Sequence, residues 1–129
     1  MLTLPNELAI DFSGKTVQHV VSNGQTIQPK VQDGFIYLDV SKLTVGKNII
    51  GITYACTYDN DGQGCVSFVD VDTKQYIYTQ FEPYCANRVF PCLDQPNLKA
   101  VMQLQVITPS DWKKVLGNET ATTEENFNA

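Results

Sequence analysis

Apolar residues recur at every second position along nearly the whole chain, and no window of helical length carries them at the three-and-four spacing of an amphipathic helix. That period restricts the fold to strands, because side chains alternate between two faces along a strand and a half-buried sheet converts the alternation into burial. The expected strands are Leu8 to Phe12, Thr16 to Val21, Phe35 to Val40, Asn48 to Cys56, Cys65 to Val71, Gln75 to Phe81 and Ala100 to Thr108. Turn signals punctuate them at Ser13-Gly14, Asn23-Gly24, Asp33-Gly34, Val45-Gly46 and the Asp59 to Gly64 loop. Asn23-Gly24 and Asp33-Gly34 suit tight hairpins, since both central positions accept positive φ. The expected class is all-β, an antiparallel β-sandwich or a curved, saddle-like sheet.

Alternation also assigns faces. In Asn48 to Cys56, the side chains of Ile50, Ile52, Tyr54 and Cys56 share the face expected to meet the core. In Ala100 to Thr108, Met102, Leu104 and Val106 are expected inward, with Gln103 and Gln105 outward. Ser110 is placed to cap a single helical turn before Trp112. The segment 119–129 is polar, repeats Thr and Glu, and reads as a frayed tail after one domain over 1–118.

With 129 residues, 43% hydrophobic and 18% charged, the chain has the composition of a folded domain. Nine Lys and Arg against fourteen Asp and Glu leave a net charge of -5, which repels phosphates and excludes nucleic acid as the expected partner. No stretch reaches the roughly 20 apolar residues that cross a bilayer, and the N-terminal MLTLPNELAI has no basic region. The reading is a soluble, cytoplasmic chain without membrane insertion. Cys56, Cys65, Cys85 and Cys92 lack the C-x-x-C spacing of a structural zinc site. Reduced thiols are the expectation for that compartment, with a Cys85–Cys92 bridge as the alternative.

Motifs for chemistry are sparse. Asp59-Asn60-Asp61-Gly62-Gln63-Gly64 puts acids at positions one and three and Gly at six of a calcium-binding loop, with Asp70 at twelve. Strands rather than helices flank it, and acidic and Gly residues favour turns for local reasons, so a solvated loop is the reading. His19 is the only histidine, whereas a zinc site built on H-E-x-x-H needs two. It lies within an alternating strand and reads as structural. Asn118-Glu119-Thr120 matches a glycosylation acceptor without an accompanying secretion signal. No glycine-rich phosphate loop and no G-x-S-x-G elbow occur. No metal ligand and no catalytic residue is assigned.

The most elaborate segment is YTQFEPYCANRVFPCLDQPNLKA, from Tyr78 to Ala100. Pro83 suits the first position of a helical turn over Pro83 to Arg88, because its missing N–H would have no partner there. Pro91 and Pro96 impose extended or turn geometry on Phe90 and Gln95. Arg88 and Asp94 are spaced to close the corner as an ion pair. Rigid corners of this kind present polar groups at a fixed edge of a scaffold.

This segment, with the preceding YDNDGQGCVSFVDVDTKQYIY and the following VMQLQVITPSDWKKVLGNE, resembles the N-terminal β domain of the zinc metallo-aminopeptidase family, of the aminopeptidase N and leukotriene hydrolase type. The similarity runs from about Gly46 to Asn118, with agreement only in strand pattern over Leu8 to Val45. The resemblance implies a non-catalytic β domain, incomplete over 1–118, that forms one wall of an active-site cavity. Zinc and the catalytic base would belong to a following domain, absent here together with H-E-x-x-H and G-x-M-x-N. It further implies that Glu82 receives the free α-amino group of a peptide and that Gln80 lines the pocket for the first side chain. Partners implied are a peptide N-terminus and a catalytic domain or other chain that completes the sheet. The alternative is a free-standing interaction module that keeps the fold. Leu93, where the family often has Phe, and Tyr84-Cys85, where it is commonly acidic, are departures.

Overall fold

A computed structural model describes residues 7–121, 123 and 125. The chain divides into two compact units, Met1–Lys99 and Ala100–Ala129. In the first, eight strands form three antiparallel sheets: β1 (Leu8–Asp11), β2 (Thr16–Ser22), β3 (Gln25–Ile27), β4 (Lys30–Gln32), β5 (Phe35–Leu38), β6 (Ile50–Ala55), β7 (Gly64–Val69) and β8 (Gln75–Gln80). Their orders are β1-β5-β4, β3-β2-β6 and β7-β8. The all-β expectation holds.

The hairpin turns follow their chemistry. Asn23 and Gly24 have φ of 50° and 81°, and Asp33 and Gly34 have 54° and 82°, so both central residues of each turn are left-handed. Those turns fix the β2–β3 and β4–β5 registers. The strands β3 and β4 have only three residues each, too few to show an alternation, and the sequence did not reveal them. The strand expected to reach Val40 ends at Leu38, because Asp39 accepts from the Ser41 N–H at 2.9 Å and caps a 3-10 turn over Val40–Lys42.

The two three-stranded sheets share one core of Phe12, Val20, Ile27, Ile36 and Leu38. Ile50, Ile52, Tyr54 and Cys56 pack against it from β6 and its end, as the alternation requires. Val20 and Ile36 are fully buried. Val17 and Val20 both reach this core although they are three apart, an odd number that strict alternation forbids. The β2–β6 register slips between Val17 and His19, and the inserted residue restores the inward face. His19 consequently lies on the exposed side.

In the second unit, Ala100–Thr108 forms no strand, a correction to the alternation. Met102, Leu104 and Val106, expected inward, are 63%, 70% and 51% exposed. A strand requires a ladder of hydrogen bonds to a neighbour, and period-two sequence without that ladder leaves the backbone irregular. Ser110 caps no helix; a single turn ends with the Trp112 N–H on the Pro109 carbonyl at 3.2 Å. Of the expected tail, 119–121, 123 and 125 have no regular structure, and the rest lies outside the described residues. No helix among the described residues is long and apolar enough to cross a membrane.

Candidate functional site

The corner after β8 belongs to the first unit. Register pairs Gly64 with Gln80, Val66 with Tyr78 and Phe68 with Tyr76, so Gln80 ends a hairpin face that also carries Tyr78, Phe68 and Tyr76. Phe68 stacks on Tyr76 with ring centroids 5.4 Å apart and meets Tyr78 edge-on at 6.2 Å. Gln80 is exposed at the strand's end.

The chain then turns sharply. The Cys85 N–H bonds to the Phe81 carbonyl at 2.8 Å, which leaves Glu82 and Pro83 at the tip of a closed turn. The Glu82–Pro83 peptide bond is cis. Helical geometry begins later than Pro83. Cys85 has φ -135° and ψ 1°, outside the helical region, and the 3-10 turn covers only Ala86–Arg88. Glu82 is exposed, and its carboxylate makes no hydrogen bond or ion pair among the described residues. It is therefore not consumed in holding the corner together.

What holds the corner is a polar network that includes two buried groups. Asp11, 8% exposed at the end of β1, exchanges backbone hydrogen bonds with Cys92 at 2.8 and 3.1 Å. Its Oδ2 accepts from the Asp94 N–H at 3.2 Å, and its Oδ1 accepts from the Tyr84 hydroxyl. Asn87, 4% exposed, donates from Nδ2 to Asp94 Oδ2 at 2.8 Å and to the Tyr84 carbonyl at 3.4 Å. Its backbone N–H reaches the same Asp94 oxygen at 3.1 Å, while its Oδ1 accepts from the Ser13 hydroxyl. Burial without partners would cost on the order of 1 to 3 kcal/mol per group, so these bonds are what make the buried positions tolerable.

The expected Arg88–Asp94 ion pair does not form. Asp94 is occupied by Asn87, and successive side chains on a 3-10 turn diverge by about 120°, so Arg88 points elsewhere. Its Nη1 lies 2.7 Å from Asp61 Oδ2 and 3.6 Å from Asp59 Oδ1. The guanidinium thus sits against the acidic loop, and its hydrogen bond holds the Asp61 carboxyl below the usual range. Asp59 Oδ2 also accepts from the Cys65 N–H at 3.1 Å, and Cys85 Sγ donates to Gln63 Oε1 at 3.1 Å. The loop that resembled a calcium ligand set is an arginine clamp for the corner.

A cleft of about 530 Å³ beside this clamp is lined by Ser13, Gly14, Lys15, Thr57, Asp59 and Arg88. Gln80 and Glu82 do not line it. All four cysteines are free thiols. Burial pushes the Cys56 and Cys65 thiols up, and burial with nearby Asp94 and Asp11 pushes Cys92 up to about 11. These three are therefore protonated, weak nucleophiles at neutral pH. Among the described residues, no group of three or more His, Cys, Asp or Glu side chains is arranged to hold a metal ion.

Asp11 and Asn87 are the positions that the sequence did not mark. An acid inside the apolar run LAIDF is the only available signal, and nothing local identifies partners 73 to 83 residues away.

The sequence matches the family described as Peptidase M1 N-terminal domain over residues 6–129. It is similar to an aminopeptidase N of Streptomyces lividans, 38% identical over 123 residues, which is 93% of this chain and 14% of that protein. It is also similar to an aminopeptidase N of Lactobacillus delbrueckii subsp. lactis, 29% identical over 115 residues, 86% of this chain and 14% of that protein. A glutamyl aminopeptidase of Rattus norvegicus is 37% identical over 59 residues, 46% of this chain and 5% of its own length. The chain thus spans about one seventh of the two bacterial relatives.

Proposed function

Because the chain belongs to the Peptidase M1 N-terminal domain family, we propose that it is the non-catalytic β domain, over 1–118, of a metallo-aminopeptidase and forms a wall of the active-site cavity. In this role Glu82 receives the free α-amino group of a peptide, and Gln80 lies beside the first side chain. The carrying observation is the state of Glu82, an exposed carboxylate without a partner among the described residues, at the tip of a turn closed by the Cys85–Phe81 hydrogen bond. An α-amino group titrates near 8 and is largely cationic at neutral pH, so a fixed carboxylate gains a charge-assisted bond that an internal peptide bond cannot offer. That contact favours removal of terminal residues over internal cleavage.

The described residues do not fit a zinc site. The sole imidazole, His19, is exposed on β2, and no triad of ligating side chains accompanies it among the described residues. In this reading zinc and the catalytic base belong to other parts of the enzyme, and the chain's contribution is recognition. The test is Glu82→Ala in the full-length enzyme, assayed with aminoacyl chromogenic substrates. Loss of a charge-paired contact should cost about 2 to 5 kcal/mol in kcat/KM. An unchanged kcat/KM would remove Glu82 from the site.

A further inference from the structure

We propose that Tyr84 and Asp11 are a positioning pair that fixes the turn carrying Glu82; the consequence for substrate rests on the reading of Glu82 given above. Four contacts hold this turn. At its base Phe81 packs edge-on against Phe90 with centroids 5.6 Å apart, and Cys85 Sγ bonds to Gln63 Oε1 at 3.1 Å. Near its tip, two residues from Glu82, only Tyr84 reaches into the scaffold. Its hydroxyl donates to Asp11 Oδ1, and its carbonyl accepts from Asn87 Nδ2 at 3.4 Å.

Asp11 is suited to anchor the hydroxyl. Its backbone is paired on both sides of β1's end, with Phe35 and with Cys92, and its second carboxylate oxygen is engaged by the Asp94 N–H. An exposed turn is thereby tied to a carboxylate that cannot shift without breaking the end of a strand. The bond to Asp11 pushes the Tyr84 phenol up to about 12, in keeping with a hydroxyl that remains a donor throughout the neutral range. Tyr84 touches no reacting atom in this scheme. It acts through the main chain of the turn.

Tyr84→Phe removes the hydroxyl alone and leaves the ring. In the full 129-residue chain, amide exchange of the Cys85 N–H, the bond that closes the turn, should accelerate at least about tenfold on release of that tether. Exchange at Val20 and Ile52 in β2 and β6 should stay unchanged. Asp11→Asn, which keeps an acceptor oxygen, should accelerate Cys85 exchange less than Tyr84→Phe does. In the full-length enzyme, Tyr84→Phe should raise KM about three- to tenfold while kcat stays within twofold. In a Glu82→Gln background the same substitution should add nothing, because both changes act on one contact.

Unchanged Cys85 exchange in Tyr84→Phe overturns the proposal, and so does an additive effect in the double variant where Glu82→Gln by itself raises KM. Faster exchange in Tyr84→Phe, together with a KM that Glu82→Gln leaves unaltered, upholds the positioning pair and removes the substrate role of Glu82.

Discussion

Asn87→Asp tests the polar network with a nearly isosteric change. It replaces the amide that donates to Asp94 Oδ2 at 2.8 Å and to the Tyr84 carbonyl at 3.4 Å with a carboxyl that, ionised, donates to neither. Two carboxylates at that 2.8 Å separation repel by about 6 kcal/mol at an effective dielectric constant near 20. The introduced group escapes by taking a proton. From an ordinary value near 3.9, protonation at pH 7 costs about 4 kcal/mol, and this smaller figure sets the loss of stability. The pH dependence follows in sign. The folded-state pKa of the introduced carboxyl is raised above its unfolded value, so stability is retained below about pH 4 and lost as pH rises toward the folded value. The loss grows by about 1.4 kcal/mol per pH unit over that window. Urea unfolding of wild type and variant from pH 4 to pH 8 measures it, with equal slopes as the check that both states are comparable. Asn87→Ala, which only deletes bonds, should lose about 2 to 3 kcal/mol at every pH. A loss in Asn87→Asp that is flat across this range, or below about 1 kcal/mol at pH 7, would refute the Asn87–Asp94 contact as the corner's centre.

Further expectations concern the clamp and the titrating groups. Gly64 has φ of 75°, and an added Cβ would run into the Asp59 carboxylate, whereas Gly62, at 84°, faces open space. Gly64→Ala should therefore destabilise by about 2 to 4 kcal/mol against roughly 1 to 2 for Gly62→Ala, and equal losses by chemical denaturation would contradict the close approach. Cys92, raised from 9.0 to about 11, should alkylate with iodoacetamide about a hundredfold more slowly in the folded chain than after unfolding. Peptide mass spectrometry at neutral pH reads the rate, and rapid labelling of the folded chain would count against its burial. An ultraviolet titration should show a tyrosine with a midpoint near 12 that moves toward 10 in Asp11→Ala. The tyrosine's raised value means that stability from its bond to Asp11 is present below about pH 10 and lost as pH rises through 12, the opposite direction to a stabilised carboxylate.

Strand pattern and turn chemistry carry most of the first unit because they are local. The left-handed pairs Asn23-Gly24 and Asp33-Gly34 need no distant partner to bend, and the inward face of β6 follows from its own alternation. Structure departs from the local pattern where geometry depends on residues far along the chain. The bulge opposite Tyr54 and Thr53 is visible only once β6 lies beside β2. Asp94 is the acid nearer to Arg88 in the corner's sequence, yet the partners of Arg88 are Asp59 and Asp61, which approach across the β7–β8 hairpin. The segment Ala100–Thr108 shows the converse limit, an alternation that states how a strand would bury its side chains without supplying the neighbouring strand. For the proposed site, Gln80 and Glu82 are legible as candidates only through resemblance to a family, since an exposed amide and carboxylate beside proline have no distinguishing pattern of their own.

The density of bonding around an otherwise ordinary turn has an energetic reason. Fixing one residue's backbone costs about 1 to 2 kcal/mol, so a ligand that had to order the Phe81–Cys85 turn for itself would forfeit most of what a single charge-assisted contact supplies. Here that ordering is completed on folding. Tyr84 and Asn87 fasten the corner to β1 through Asp11 and Asp94, and Arg88 fastens its other side to the loop before β7. Glu82 is left as an exposed carboxylate in this constrained segment, without a hydrogen-bond or ion-pair partner among the described residues. If Glu82 has the proposed role, a substitution at Asn87 or Arg88 should weaken recognition without touching a ligand, and by more for Asn87. Its bonds are buried, whereas the Arg88–Asp61 pair is exposed enough that water takes up much of its strength.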